Sequence, residues 1–185
     1  MQEISLNILD VAQYSVTACA KLITITVDEQ HAANRLAVTI ADDGCGMSAT
    51  TVKKVTDPFY TSRTTRKVGL GIPFFKMSAE MTGGSFDISS EVDRGTTVRA
   101  EYVLDSIDRM PLGDINGTIT ALITCNPSLD FVYLRRVDKN EFTLDTRSMR
   151  EILGDIPLDR PEVAGFIADF LNENEHEVNG GASNS

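Results

Sequence analysis

The seven residues ADDGCGM, 41–47, place two acids and two glycines directly after an alternating apolar stretch. Two chemistries fit. One is a tight turn, because glycine tolerates positive φ and aspartate hydrogen-bonds its own backbone. The other is a ligand site, where missing side chains let a flat ring approach the backbone while an acid reads its edge. A second cluster, TSRTTRKVGLG at 61–71, gathers Arg63, Arg66 and Lys67 around the hydroxyls of Thr64 and Thr65, then runs through Gly69, Leu70 and Gly71 into IPFFKMSAEM. That last segment reads as a helix with Pro73 in its first turn, where a missing N–H costs nothing. A helix N-terminus offers free N–H groups and the positive end of a dipole, and glycines before it let a phosphate come close. A solvated basic loop is the plainer reading of the same cations, and a lone GxG is a weak signal.

Periodicity supplies the elements that hold these clusters. Over 4–20, Ile4, Ile8, Val11, Ala12, Ser15 and Cys19 are small or apolar at spacings of three and four, which predicts an amphipathic helix with Asn7, Asp10 and Tyr14 on its other stripe. LITITV (22–27) and RLAVTIA (35–41) alternate and predict a hairpin. Ser48 caps a short helix through Val55, and a helix is expected over 72–82. GGSFDISS and GTTVRAEYVL alternate again, with Phe86, Ile88, Val98, Ala100, Tyr102 and Leu104 on the buried faces. The order is α, β, β, α, loop, α, β, β. Near Ser106 the turn formers of DSIDRMPLGDING suggest a link to a second unit. There GTITALITC, LDFVYLRRV and EFTLDT read as three short strands and TRSMREILGD as a short helix. A last helix starts after Asp159 with Pro161 and Glu162 in its first turn and buries Val163, Phe166, Ile167 and Phe170. The expected division is 1–105, a small α+β unit over 106–177, and a disordered tail over 178–185.

Composition narrows the function. The 185 residues are 42% hydrophobic and 24% charged, with a formal net charge of −10, which argues against nucleic-acid or anionic-membrane partners. No apolar run approaches the roughly 20 residues of a membrane span, so a cytoplasmic location is expected. Cys19, Cys45 and Cys125 lack paired metal or redox spacing and are expected as reduced thiols. His31 and His176 lack the flanking pattern of a phospho-accepting histidine and read as surface residues.

Read together, a leading helix with an acid on its polar stripe, a strand, DxGxG, a hydroxyl-rich loop ending in GxG before a helix, and GT opening a strand resemble the GHKL ATP-binding fold. That superfamily contains histidine-kinase catalytic domains, DNA gyrase, mismatch-repair ATPases and heat-shock chaperones. The resemblance covers residues 1 to about 104. The 57–102 segment looks especially like a histidine-kinase catalytic domain standing alone, and it also resembles anti-sigma-factor serine kinases. The fold class implied is α+β: a two-layer α/β sandwich of the Bergerat (GHKL) type with a mixed sheet, plus the small α+β C-terminal unit.

The resemblance assigns roles. Asp42 would accept a hydrogen bond from the adenine amine, with Gly44 and Gly46 bringing backbone near the base and Met47 packing on it or in the core. Asp43 would be solvated or bonded to the turn. Gly69, Leu70 and Gly71 match the phosphate loop, and Arg63, Thr64, Thr65, Arg66 and Lys67 the lid, at least one of whose cations would meet the triphosphate. Thr96 matches a position that bonds near the adenine, or is a polar strand residue. Asp10 matches the acid that polarises water in hydrolytic relatives, or is an ordinary exposed residue. Tyr14 stands where the family has its magnesium-binding asparagine, and a neutral phenol is a poor ligand for a hard cation. A competing register puts Asn7 and Val11 in those two slots. Cys19 replaces the usual glycine and reads as a small buried thiol. ATP and ADP are therefore the expected ligands, Mg2+ is in doubt, and the expected partner is another regulatory protein carrying any phosphate acceptor. An active ATPase or protein kinase, a degenerate nucleotide sensor and an anti-sigma-like module all stay open.

Overall fold

The computed structural model describes residues 3–59 and 70–180. In chain order the elements are α1 (Ile4–Thr17), β1 (Leu22–Gln30), β2 (Arg35–Asp42), α2 (Ala49–Val55), α3 (Gly71–Met81), β3 (Ser85–Glu91), β4 (Gly95–Val103), α4 (Ile115–Cys125), β5 (Asp130–Val137), β6 (Asn140–Asp145), α5 (Thr146–Leu153) and α6 (Pro161–Val178). The strands form one mixed sheet ordered β3-β4-β2-β1-β5-β6, in which β1 and β5 run parallel and the other neighbours antiparallel. Side-chain alternation sorts its faces. Ile23, Ile25, Val27, Leu36, Val38, Ile40, Val98, Ala100 and Tyr102 are buried beneath a helical layer, while Thr24, Thr26, Thr39 and Thr97 stay partly or fully open on the far side. The layer is a row α3, α1, α4, α6, each helix packed on the next. This is the expected two-layer sandwich.

α1 presents Ile4, Ile8, Val11, Ala12 and Ser15 to the sheet, the stripe its spacing predicts. Its end differs from expectation at Cys19, which is exposed and adopts φ 57°. The chain must reverse from helix into β1 within four residues, and a left-handed residue does this while turning its side chain outward. Residues 115–178 continue both layers, because β5 pairs with β1 from Leu22↔Asp130 to Glu29↔Val137 and β6 pairs with β5.

GTITALITC, expected as a strand, lies in α4. Its Thr and Ile residues satisfy a period of two, but Ile115, Thr118, Ile119, Leu122 and Ile123 also satisfy the helical period and are buried. Asp114 accepts from the Gly117 N–H at 2.8 Å and caps the helix, and the Thr120 and Thr124 hydroxyls donate to carbonyls one turn back at 2.8 and 2.9 Å. Burial against α1 and α6 outweighs the weak β-preference of branched residues. In α6 the buried face is Val163, Ile167, Leu171 and Val178. Phe166, expected inside, is 60% exposed because it sits one position off that face and leans on Phe170 at 6.5 Å between ring centroids.

One buried charge joins the C-terminal elements to the rest. Arg135 of β5 is 2% exposed, donates to Glu29 of β1 at 2.8 Å and to Glu175 of α6 at 3.2 Å, and also donates to the Arg136 carbonyl at 3.0 Å. Removing it strands two carboxylates in a desolvated place. Arg135→Ala is expected to lower unfolding free energy by about 3–5 kcal/mol, measured by urea denaturation, whereas a loss below about 1 kcal/mol would mean the pair behaves as a surface ion pair.

Candidate functional site

β2 ends at Asp42, on the side of the sheet that faces α1. The Ser15 hydroxyl of α1 donates to Asp42 Oδ2 at 2.6 Å, and the Gly44 N–H donates to Oδ1 at 2.9 Å. A carboxylate has about four acceptor positions, so two donors fix its plane and leave lone pairs for a further donor. The acid-glycine stretch is therefore a turn, and it holds the Asp42 carboxylate in a fixed plane.

The glycines answer first to the protein's own packing. A Cβ on Gly44 would lie 2.8 Å from the Ala18 carbonyl oxygen, and one on Gly46, at φ 63°, would lie 1.9 Å from the Glu91 oxygen. Gly95, at φ 101°, sits under the Asp42 carbonyl with 1.9 Å for a Cβ. The loop is thus pressed between the end of α1 and the β3–β4 turn. Met47 donates its N–H to Ser90 Oγ at 2.8 Å, and Ser90 in turn donates to the Gly95 carbonyl at 3.0 Å and shares a 2.8 Å hydroxyl contact with Thr96. Thr96 lies opposite Asp42 in the β2–β4 register. Its hydroxyl is already tied to the serine that holds the loop, and Met47 is partly buried against the core.

Asp43 points the other way. Its Oδ1 accepts from the N–H groups of Lys21 and Leu22 at 2.7 and 2.9 Å, which binds the loop to the start of β1. Desolvation is the largest single influence and raises its pKa, but the Leu22, Lys21 and Asp43 N–H groups and the Lys21 charge together outweigh it and hold the carboxyl below the usual range.

Asp10 and Tyr14 lie one turn apart on α1 against the first residue of α3. A Cβ on Gly71 would come within 2.9 Å of Asp10 Cβ and 3.3 Å of Tyr14 Cε2, so glycine is what lets α3 start here. Burial raises the Tyr14 pKa, the Asp10 charge adds to this, and a hydrogen bond with the Gly71 backbone works against both. Leu70 precedes α3 as its N-cap residue, exposed and offering no side-chain cap. The residues of the competing register are spent elsewhere: Val11 is in the core, and Asn7 donates to Ser78 Oγ at 3.5 Å in the α1–α3 seam. Arg63, Thr64, Thr65, Arg66, Lys67 and Gly69 lie outside the described residues.

Two residues with a hand in the site were not anticipated: Ser15 and Ser90. Ser15 carried a signal, as a hydroxyl on the otherwise apolar stripe of α1. Ser90 becomes visible only once β3 is paired with β4. His31 is held in a hairpin clasp by Asp138 at 2.8 Å and Glu29 at 3.2 Å. Among the described residues no group of three or more His, Cys, Asp or Glu side chains could hold a metal ion.

The model of the histidine kinase-, DNA gyrase B- and HSP90-like ATPase family matches residues 1–106. The chain belongs to that family. A sensor protein of Shewanella frigidimarina is 31% identical over 109 residues, covering 58% of this chain and 17% of that protein. The sensor protein SrrB of Staphylococcus aureus is 36% identical over 102 residues, covering 52% and 17%. The chain thus spans about a sixth of the length of these curated relatives. A solved N-terminal domain of a DNA repair protein shares the fold, with a TM-score of 0.52 at 12% identity over 78% of this chain and 53% of that one.

The Asp43 clamp makes a pH prediction. Its folded pKa lies below the ordinary aspartate value, so the stability it confers is present above that ordinary value and is lost as pH falls through the lower folded pKa. Asp43→Asn is expected to be less stable than wild type at pH 7, with the gap closing in acid. A gap independent of pH, followed by circular dichroism, would contradict the charge-assisted clamp.

Proposed function

We propose that the chain binds ATP or ADP at the end of β2 and passes the γ-phosphate to water or to a partner protein, in a regulatory role. The observation that carries this is the Asp42 carboxylate, fixed by Ser15 and Gly44 with lone pairs to spare. An acceptor there suits the exocyclic amine of adenine and rejects the carbonyl of guanine. Gly44, Gly46 and Met47 form the wall the base would meet, and Thr96 supports that wall through Ser90. Gly69, Leu70 and Gly71 lead into the positive end of the α3 dipole, and Arg63, Thr64, Thr65, Arg66 and Lys67 would supply hydroxyls and charge for phosphate oxygens. Asp10, exposed beside Gly71, would take a proton from attacking water. His31 is engaged with two carboxylates, which favours an acceptor on another chain.

A second reading is favoured by Tyr14. Its phenol already meets the Gly71 backbone, where the family resemblance expects an asparagine holding Mg2+. Magnesium, when bound, would neutralise phosphate charge; among α1 side chains facing Gly71, only Asp10 offers it a hard anionic oxygen. On this reading the chain is a nucleotide sensor that turns over slowly.

Calorimetry with ATP and ADP, with and without magnesium, tests both. Asp42→Asn is expected to weaken nucleotide binding at least about tenfold, near 1.4 kcal/mol, and retained affinity would place the base elsewhere. ATP turnover that Asp10→Asn abolishes carries the enzyme reading. Binding without turnover, together with a gain of magnesium-dependent affinity in Tyr14→Asn, carries the sensor reading.

A further inference from the structure

We propose that Cys19 and Cys45 form a dithiol pair that closes into a disulfide joining the end of α1 to the glycine loop after β2. They are far apart in sequence, but the Cys45 N–H donates to the Ala18 carbonyl at 3.0 Å, and Cys19 is the next residue after that carbonyl. Standard peptide dimensions then bring the two α-carbons within about 5–7 Å, which overlaps the roughly 4.4–6.8 Å that a disulfide spans. The contact is held from both sides. Asp43 grips Lys21 and Leu22, and the Asp93 N–H donates to the Cys45 carbonyl at 2.8 Å. Both thiols are exposed and open to a soluble oxidant.

The backbone gives an independent reason to look at Cys19. At φ 57° a side chain other than glycine costs about 1–2 kcal/mol, and an exposed one recovers nothing by packing. Packing therefore does not account for a cysteine here, whereas a reactive partner across the loop does.

The oxidant class is a low-molecular-weight disulfide such as oxidised glutathione. One protein thiolate attacks it, forming a mixed disulfide and expelling one glutathione thiolate. The other protein thiolate then attacks the protein sulfur of that mixed disulfide and expels the second. Two protein thiols become one disulfide, and one glutathione disulfide becomes two thiols. The new bond closes a loop containing the whole β1–β2 hairpin and cross-links the end of α1 to the loop that carries Asp42. This modification stands apart from the nucleotide reading, and either can fail without the other.

The test treats the chain with oxidised glutathione or with dithiothreitol, blocks remaining thiols with N-ethylmaleimide, and maps the peptides by mass spectrometry. The expected result is a Cys19–Cys45 linked peptide in monomeric protein, Cys125 unlinked, and reversal by dithiothreitol. Cys19→Gly, which suits the left-handed backbone, should fold normally and lose the link. Separate glutathione adducts on Cys19 and Cys45, a link between two chains, or a link through Cys125 would each overturn the proposal.

Discussion

The 2.6 Å hydrogen bond from Ser15 to Asp42 ties the helical layer to the sheet at the end of β2, and the arrangement of the glycine loop depends on it. Ser15 is buried on α1, and Asp42 is the last residue of β2. For them to meet, α1 must lie low across the sheet, which small Ala12 and the aliphatic side chains of Val11 and Ile8 allow. The loop must then turn without side chains at Gly44 and Gly46, and β4 must begin with Gly95 beneath the Asp42 carbonyl. Each glycine is needed for backbone approach. What is left over is a half-buried carboxylate whose plane is fixed by packing.

The same end of the sheet is braced by the C-terminal elements. Asp43 accepts from the Lys21 and Leu22 N–H groups, while the Lys21 carbonyl accepts from the Asp130 N–H at the start of β5 at 2.9 Å. The first residues of β1 are therefore gripped from the loop and from β5 at once. At the opposite end of β1, Glu29 meets Arg135, which also reaches Glu175 of α6. Residues beyond 105 thus bear on β1, the hairpin partner of the strand that ends at Asp42.

Most of this architecture was legible because its determinants are local. Alternation set the buried faces of β1 to β4, the spacing of Ile4, Ile8, Val11, Ala12 and Ser15 set α1, and Ser48 marked the start of α2. The turn of the candidate site was legible where the backbone needs a particular residue type at a particular place, as at Gly44 and Gly46 after Asp42. The rest was hidden for identifiable reasons. GTITALITC satisfies two periods, and only the neighbours α1 and α6 decide between them. Ser90 matters through its bonds to Met47, Gly95 and Thr96, which exist only once the strands pair. The exposure of Cys19 follows from a positive φ that no residue count reveals, and Phe166 missed the core by a single helical position.

The central claim, that Asp42 reads the amine edge of a purine, is tested most directly by titrating the chain with ADP and with GDP under identical conditions. The two nucleotides share their phosphates and sugar and differ at the edge the carboxylate would face. The account predicts that ADP binds at least about tenfold more tightly, a difference near 1.4 kcal/mol. Equal affinity for the two would contradict it.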